Sequence, residues 1–123
     1  MIATRSIIFA VLVFLFLMTP AYASGSLSFG GDGYWVDLEI GQTEVPVVAS
    51  VRFHRPGDQK GVVLSRKLVI VEAFDTRRQV LVLRFTGLGG ANPVGPFTLS
   101  ANGGQAVLQI GAQQIVSQFS WEM

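Results

Sequence analysis

The sequence predicts an all-β fold, an antiparallel two-layer β-sandwich of about seven to eight strands, with a small closed β-barrel as the alternative. Three observations predict it. Past the first two dozen or so residues, no window of about eleven residues sustains a helical period. Apolar and polar residues alternate instead. Gly, Pro, Asn and Asp interrupt the alternation about every 8 to 12 residues, the spacing of turns between short strands.

The amino-terminal segment is expected to stand outside that fold. Arg5 lies in a short polar start, residues 7–18 (IIFAVLVFLFLM) are apolar, and Pro20 precedes Ala21, Tyr22 and Ala23 in an A-x-A pattern. These are the three parts of a secretory signal peptide. A membrane span needs about 20 apolar residues, and this run has 12. The expectation is therefore a leader at 1–23, cut after Ala23, followed by one domain at 24–123. Such a chain would be exported, to a bacterial periplasm or beyond the cell, and would meet a membrane only through the leader before cleavage.

Composition narrows the function classes. The chain has 9 Lys and Arg against 8 Asp and Glu, and losing Arg5 leaves 8 against 8. A neutral mature chain has no basic footprint for nucleic acid. The absence of cysteine excludes disulfides, thiolate metal sites, a cysteine nucleophile and a lipid-modified amino-terminal Cys. Cohesion then rests on burial, for which about 100 residues suffice.

The expected strands, in order, are 27–29 (a weak one), 34–40, 45–54, 62–65 running on into 67–74, 79–86, 97–101, 106–110 and 115–121. Turn positions then predict register. A fold at 41–44 sets Ile40, Leu38, Val36 and Tyr34 against Val45, Val47, Ala49 and Val51. A fold at Gly103 and Gly104 sets Ala101, Leu99 and Phe97 against Ala106, Leu108 and Ile110. A fold at Ala112 and Gln113 sets Ile110, Leu108 and Ala106 against Ile115, Ser117 and Phe119. The last three strands are thus expected to form a meander.

A turn at 75–78 gives a different hairpin. It sets Leu68, Ile70 and Glu72 against Phe85, Leu83 and Leu81 on one face. Val69, Val71 and Ala73 then meet Arg84, Val82 and Val80 on the other. Both faces are largely apolar, unlike a sheet wet on one side. Val69, Val71, Val80 and Val82 therefore form a candidate interface, covered from within the chain by residues such as Trp121, Phe119, Leu27 or Phe29, or else by a protein partner or a second copy.

The second candidate lies on residues 33–41 (GYWVDLEIG), where Trp35, Asp37 and Glu39 share the side opposite Tyr34, Val36, Leu38 and Ile40. Arg52 is expected diagonally across from Trp35. An indole beside polar groups is a candidate carbohydrate-binding surface. Asp37 and Glu39, about 6.5 to 7 Å apart along a strand, are also in range for the two carboxyls of a glycoside hydrolase. Exposed acids without a cleft do not acquire the raised pKa an acid catalyst needs, so hydrolysis is the remote alternative.

His54, the only histidine, has basic neighbours in Arg52 and Arg55 and is expected to be structural or solvated on the outer face, since no G-x-S-x-G elbow accompanies it. Residues 87–96 (GLGGANPVGP) lack the G-K-[ST] ending of a phosphate loop and read as a surface connection. No cofactor or metal motif is found. The resulting expectation is a non-enzymatic exported domain acting by protein contact, as an envelope, assembly or adhesion subunit, with glycan binding at Trp35 as the alternative.

Overall fold

The computed structural model describes residues 23–42, 44–87 and 94–123. The expected leader lies outside them except for Ala23, as does the middle of the 87–96 connection. The described elements are β1 (Ala23–Gly31), β2 (Tyr34–Gln42), β3 (Pro46–His54), β4 (Val62–Val63), a 3₁₀ turn (Arg66–Leu68), β5 (Val69–Asp75), β6 (Val80–Phe85), β7 (Phe97–Asn102), β8 (Gln105–Ile110) and β9 (Gln113–Glu122). The fold is all-β, as the alternation predicts.

Nine strands form one antiparallel sheet in the order β4-β3-β2-β1-β9-β8-β7-β6-β5. The expected seven or eight strands in two layers differ from this for a physical reason. The weak strand at 27–29 extends to nine residues and is paired along both edges. Its Leu27, Ser28 and Phe29 face Leu38, Asp37 and Val36 of β2, and Trp121, Ser120 and Phe119 of β9. The layers that a sandwich would keep apart are joined by this strand.

The joined sheet curls so that its two halves share one core. Phe53 of β3 stacks on Phe97 of β7 with ring centroids 4.8 Å apart, and Phe97 meets Phe85 of β6 at 5.5 Å. Five steps along the strand order separate β3 from β7, so only curvature can bring these rings together. Leu27, Phe29, Val36, Leu38, Leu81, Leu83, Leu99 and Leu108 fill the rest, and no polar or charged side chain is buried among the described residues. At about 25 cal/mol per Å² of apolar surface, this burial is what a cysteine-free chain has to set against its conformational entropy.

Local chemistry explains the turns. Asp32 and Gly33 both take positive φ, 50° and 84°, and link β1 to β2 as the two-residue type I′ turn that matches strand twist. Arg55 to Asp58 closes with Asp58 N–H donating to the Arg55 carbonyl at 2.9 Å. Pro56 presets one central φ there, and Gly57 takes +84° in the other.

Registers agree with the sequence in part. The β7–β8 pairs are those expected. The β8–β9 register lies two residues away, with Leu108 facing Ile115, an even shift that leaves every side chain on its expected face. Between β2 and β3 the pairing moves further: Leu38 faces Val51 and Val36 faces Phe53, with Ala49 an extra residue in β3. This register brings Phe53 into the core rather than past the end of β2, and an aromatic ring dominates that choice. Ala49 then reverses the alternation, leaving Val47 exposed while Val48 packs on the core.

The expected 67–86 hairpin is corrected in the same way. Val69 and Val71 face Phe85 and Leu83, whereas Ala73, Phe74 and Asp75 face Val82, Leu81 and Val80. Glu72 is the extra residue of a bulge. The turn itself lies at 76–79 rather than 75–78, which sets Phe74 against Leu81. A ladder continued straight from it would set the Glu72 carboxylate against Leu83; the bulge puts Val71 there and frees Glu72 to meet Arg84 at 3.1 Å.

Replacing Phe53 by Ala removes the ring that ties β3 to β7 and is expected to cost about 3 to 5 kcal/mol in equilibrium urea unfolding. Val116→Ser, at a position 56% exposed, is expected to stay within about 0.5 kcal/mol. Equal losses from both would contradict a core closed through Phe53.

Candidate functional site

Two places on this sheet combine exposure with unusual chemistry. The first is the outer face around Trp35. Alternation along β2 buries Val36, Leu38 and Ile40 and turns Trp35, Asp37 and Glu39 outward, as predicted. Trp35 is 45% exposed. Its six-membered ring packs against Gly30 of β1, where a β carbon would run into it.

The indole edge is also held. Trp35 Nε1–H donates to Asp37 Oδ1 at 2.6 Å, and Asp37 Oδ2 lies 3.6 Å from His54 Nε2. His54 Nδ1–H donates to the Asp58 carbonyl at 3.0 Å, while Gly61 packs closely against the ring at φ +71°. The Pro56–Gly57 turn thereby anchors His54, His54 faces Asp37, and Asp37 fixes Trp35. His54, expected to be structural or solvated, stands part-buried at the end of this chain of contacts, its Nε2 near Asp37 without a hydrogen bond.

The other predicted residues stand on the β3 side. Arg52 is the direct cross-strand partner of Asp37 and a diagonal neighbour of Trp35, but its guanidinium Nη1 donates to the Lys60 carbonyl at 2.8 Å. Glu39 Oε2 accepts from Ser50 Oγ at 3.4 Å. The two carboxylates share a solvent-facing surface, and each has its own neighbour there.

On the opposite side of Trp35 lies a shallow depression of about 440 Å³, lined by Ser28, Gly30, Gly104, Gln118, Phe119 and Ser120 together with the indole. Sequence reasoning did not assemble these groups. The outward positions of 115–121 could be read from alternation, but only the β1–β9 ladder sets Ser120 beside Ser28.

The second place is a gap in the curled sheet. β4 pairs only with Arg52 and Phe53, and Leu64 N–H donates to the Val51 carbonyl, so, among the described residues, 47–50 have no strand on that edge. β5 is paired with β6 alone. The two edges face each other across about 140 Å³ lined by Val48, Val51, Leu64, Val69, Val71 and Arg66. Val71 is 41% exposed, and among the described residues no strand pairs with β5 beyond it.

The four valines predicted as one surface are divided between two. Val69 and Val71 belong to the inner side, at the gap. Val80 and Val82 lie outside, where Val82, Ser100, Val107 and Val116 make a row across β6 to β9. Among the described residues no group of three His, Cys, Asp or Glu side chains is placed to hold a metal ion. No protein-family model, curated protein or solved structure matches this chain.

Asp37→Ala removes the acceptor of the Trp35 indole and is expected to shift the Trp35 Nε1–H resonance strongly, at a stability cost of about 1 kcal/mol. Asp37→Asn retains an acceptor oxygen and is expected to shift it less. An indole resonance unmoved in Asp37→Ala would show that Trp35 is held by Gly30 packing alone.

Proposed function

We propose that this chain is an exported, non-enzymatic β-domain that works by protein contact, taking one extended strand of a partner polypeptide into the gap between β3 and β5. The observation that carries the reading is the pair of unpaired edges over an incompletely covered core. Backbone N–H and C=O groups along an edge require partners, and strand addition supplies them while side chains fill the pockets below. Because β3 and β5 stand seven steps apart in a wholly antiparallel order, they run in opposite directions. An inserted strand is therefore antiparallel to one edge and parallel to the other.

The chemistry of the occupant follows from the lining. Val48, Val51, Leu64, Val69 and Val71 call for apolar side chains at every second position, the strand period. Arg66 lines the gap and, among the described residues, forms no ion pair, so a carboxylate on the strand at that end is complementary to it. The bulges at Ala49 and Glu72 and Pro46 at the start of β3 limit the regular edge to a few residues. A short contact of this kind belongs with transient interfaces rather than obligate ones.

The test uses a labelled synthetic nonapeptide of alternating serine and valine ending in glutamate, titrated by anisotropy. Saturable binding is expected, weakened at least about tenfold, roughly 1.4 kcal/mol, by Val71→Asp and by Arg66→Glu. The same composition with its valines grouped is expected not to bind. Absence of binding by the alternating peptide, or a free protein already dimeric through β5 in light scattering, would contradict strand capture from a partner.

A further inference from the structure

We infer that the depression beside Trp35 is a second binding site, taking a neutral saccharide built of gluco-configured pyranose rings. It lies on the outer face of β1, β2 and β9, away from the gap between β3 and β5, and does not depend on strand capture there. Three observations converge on this ligand class.

The first is the platform. Gly30 packed against the six-membered ring and Asp37 bonded at Nε1 hold the Trp35 indole against β1, with 45% of the residue still exposed. An indole face presented this way has its negative quadrupole toward solvent. The axial C–H groups on one side of a pyranose with equatorial hydroxyls form a flat, slightly positive surface that stacks on it. Since Trp35 is already held in place, little side-chain entropy is lost on binding.

The second is the floor. Ser28, Gln118 and Ser120 line the depression, with Gly104 on its rim, and no charged residue is among the lining groups. Ser28 and Ser120 are direct cross-strand partners, so two hydroxyls stand side by side. A Gln carboxamide adds two donors and an acceptor. Hydroxyls and an amide beside an aromatic face complement sugar hydroxyls, which donate and accept in turn.

The third is what the surroundings disfavour. Asp37, Glu39 and Glu122 occupy the same outer face, so phosphates, nucleic acids and acidic sugars meet like charge. β1, β2 and β9 each have strand neighbours on both sides, so no free edge is offered to a peptide backbone. A depression this open and polar also lacks the enclosing apolar walls that a lipid or aromatic ligand requires.

Cellohexaose and chitohexaose are the probes, followed through the Trp35 Nε1–H resonance and by calorimetry, with oligogalacturonate as the anionic comparison. Saturable binding of at least one neutral hexasaccharide is expected, weakened about tenfold or more by Trp35→Ala, less by Trp35→Phe, and several-fold by Ser120→Ala. Gly30→Ala keeps every polar group but tilts the indole, and is expected to weaken binding as well. Oligogalacturonate is expected not to bind. Failure of both neutral hexasaccharides to saturate at about 10 mM, or affinity unchanged in a folded Trp35→Ala, would overturn the assignment. Neither result bears on peptide binding at the gap.

Discussion

The two ladders of β1 are the constraint on which the rest of the structure depends. This strand pairs with β2 on one edge and β9 on the other, so the amino-terminal and carboxy-terminal halves become one continuous sheet. Its inward side chains, Leu27 and Phe29, are almost wholly buried. Its outward ones are small, and Gly30 leaves room for the indole of Trp35. One strand thereby joins the core and provides the base of the outer platform.

Joining the halves in the middle fixes where the sheet ends. The free edges fall on β3 and β5, and curvature driven by the Phe53, Phe97 and Phe85 rings brings those edges near each other. Each edge strand carries an extra residue, Ala49 in one and Glu72 in the other. Bulges at edges increase twist and limit indiscriminate pairing. The short connection through β4 and the 3₁₀ turn bridges the two edges at one end, with Leu64 bonded to Val51. What is left is a restricted opening over apolar side chains, with Arg66 at its lining.

The sequence made side-chain parity legible and left bulges hidden. Alternation placed Val36, Leu38, Leu99 and Leu108 inward but left the two apolar faces of the 67–86 hairpin undecided, and the Gly103–Gly104 turn set its hairpin register correctly because the turn is two residues long and unambiguous. A bulge has no comparable signature in a single sequence. Glu72 opposite Leu81 was an internal conflict in the straight pairing, and that conflict marked the bulge site. The strength of β1 was also underestimated, although Asp32-Gly33 between two alternating runs is a strong hairpin signal. Trp35 and Asp37 were visible as neighbours on one strand face. Ser28 and Ser120 were not, since their adjacency depends on pairing between segments about 90 residues apart, which local pattern does not encode.

The central claim is that this curled sheet is complete at β1 and open between β3 and β5. Residue-resolved amide hydrogen exchange on the free protein tests it most directly, since protection follows the stability of each ladder. The account predicts the slowest exchange in β1 and its partners in β2 and β9, with outward-pointing amides of residues 47–50 and of Val71 exchanging fast, while the Val69 N–H is held by the Arg66 carbonyl. Slow exchange along both of those edges in a monomeric sample would contradict it, because the sheet would then be closed where the account places its opening.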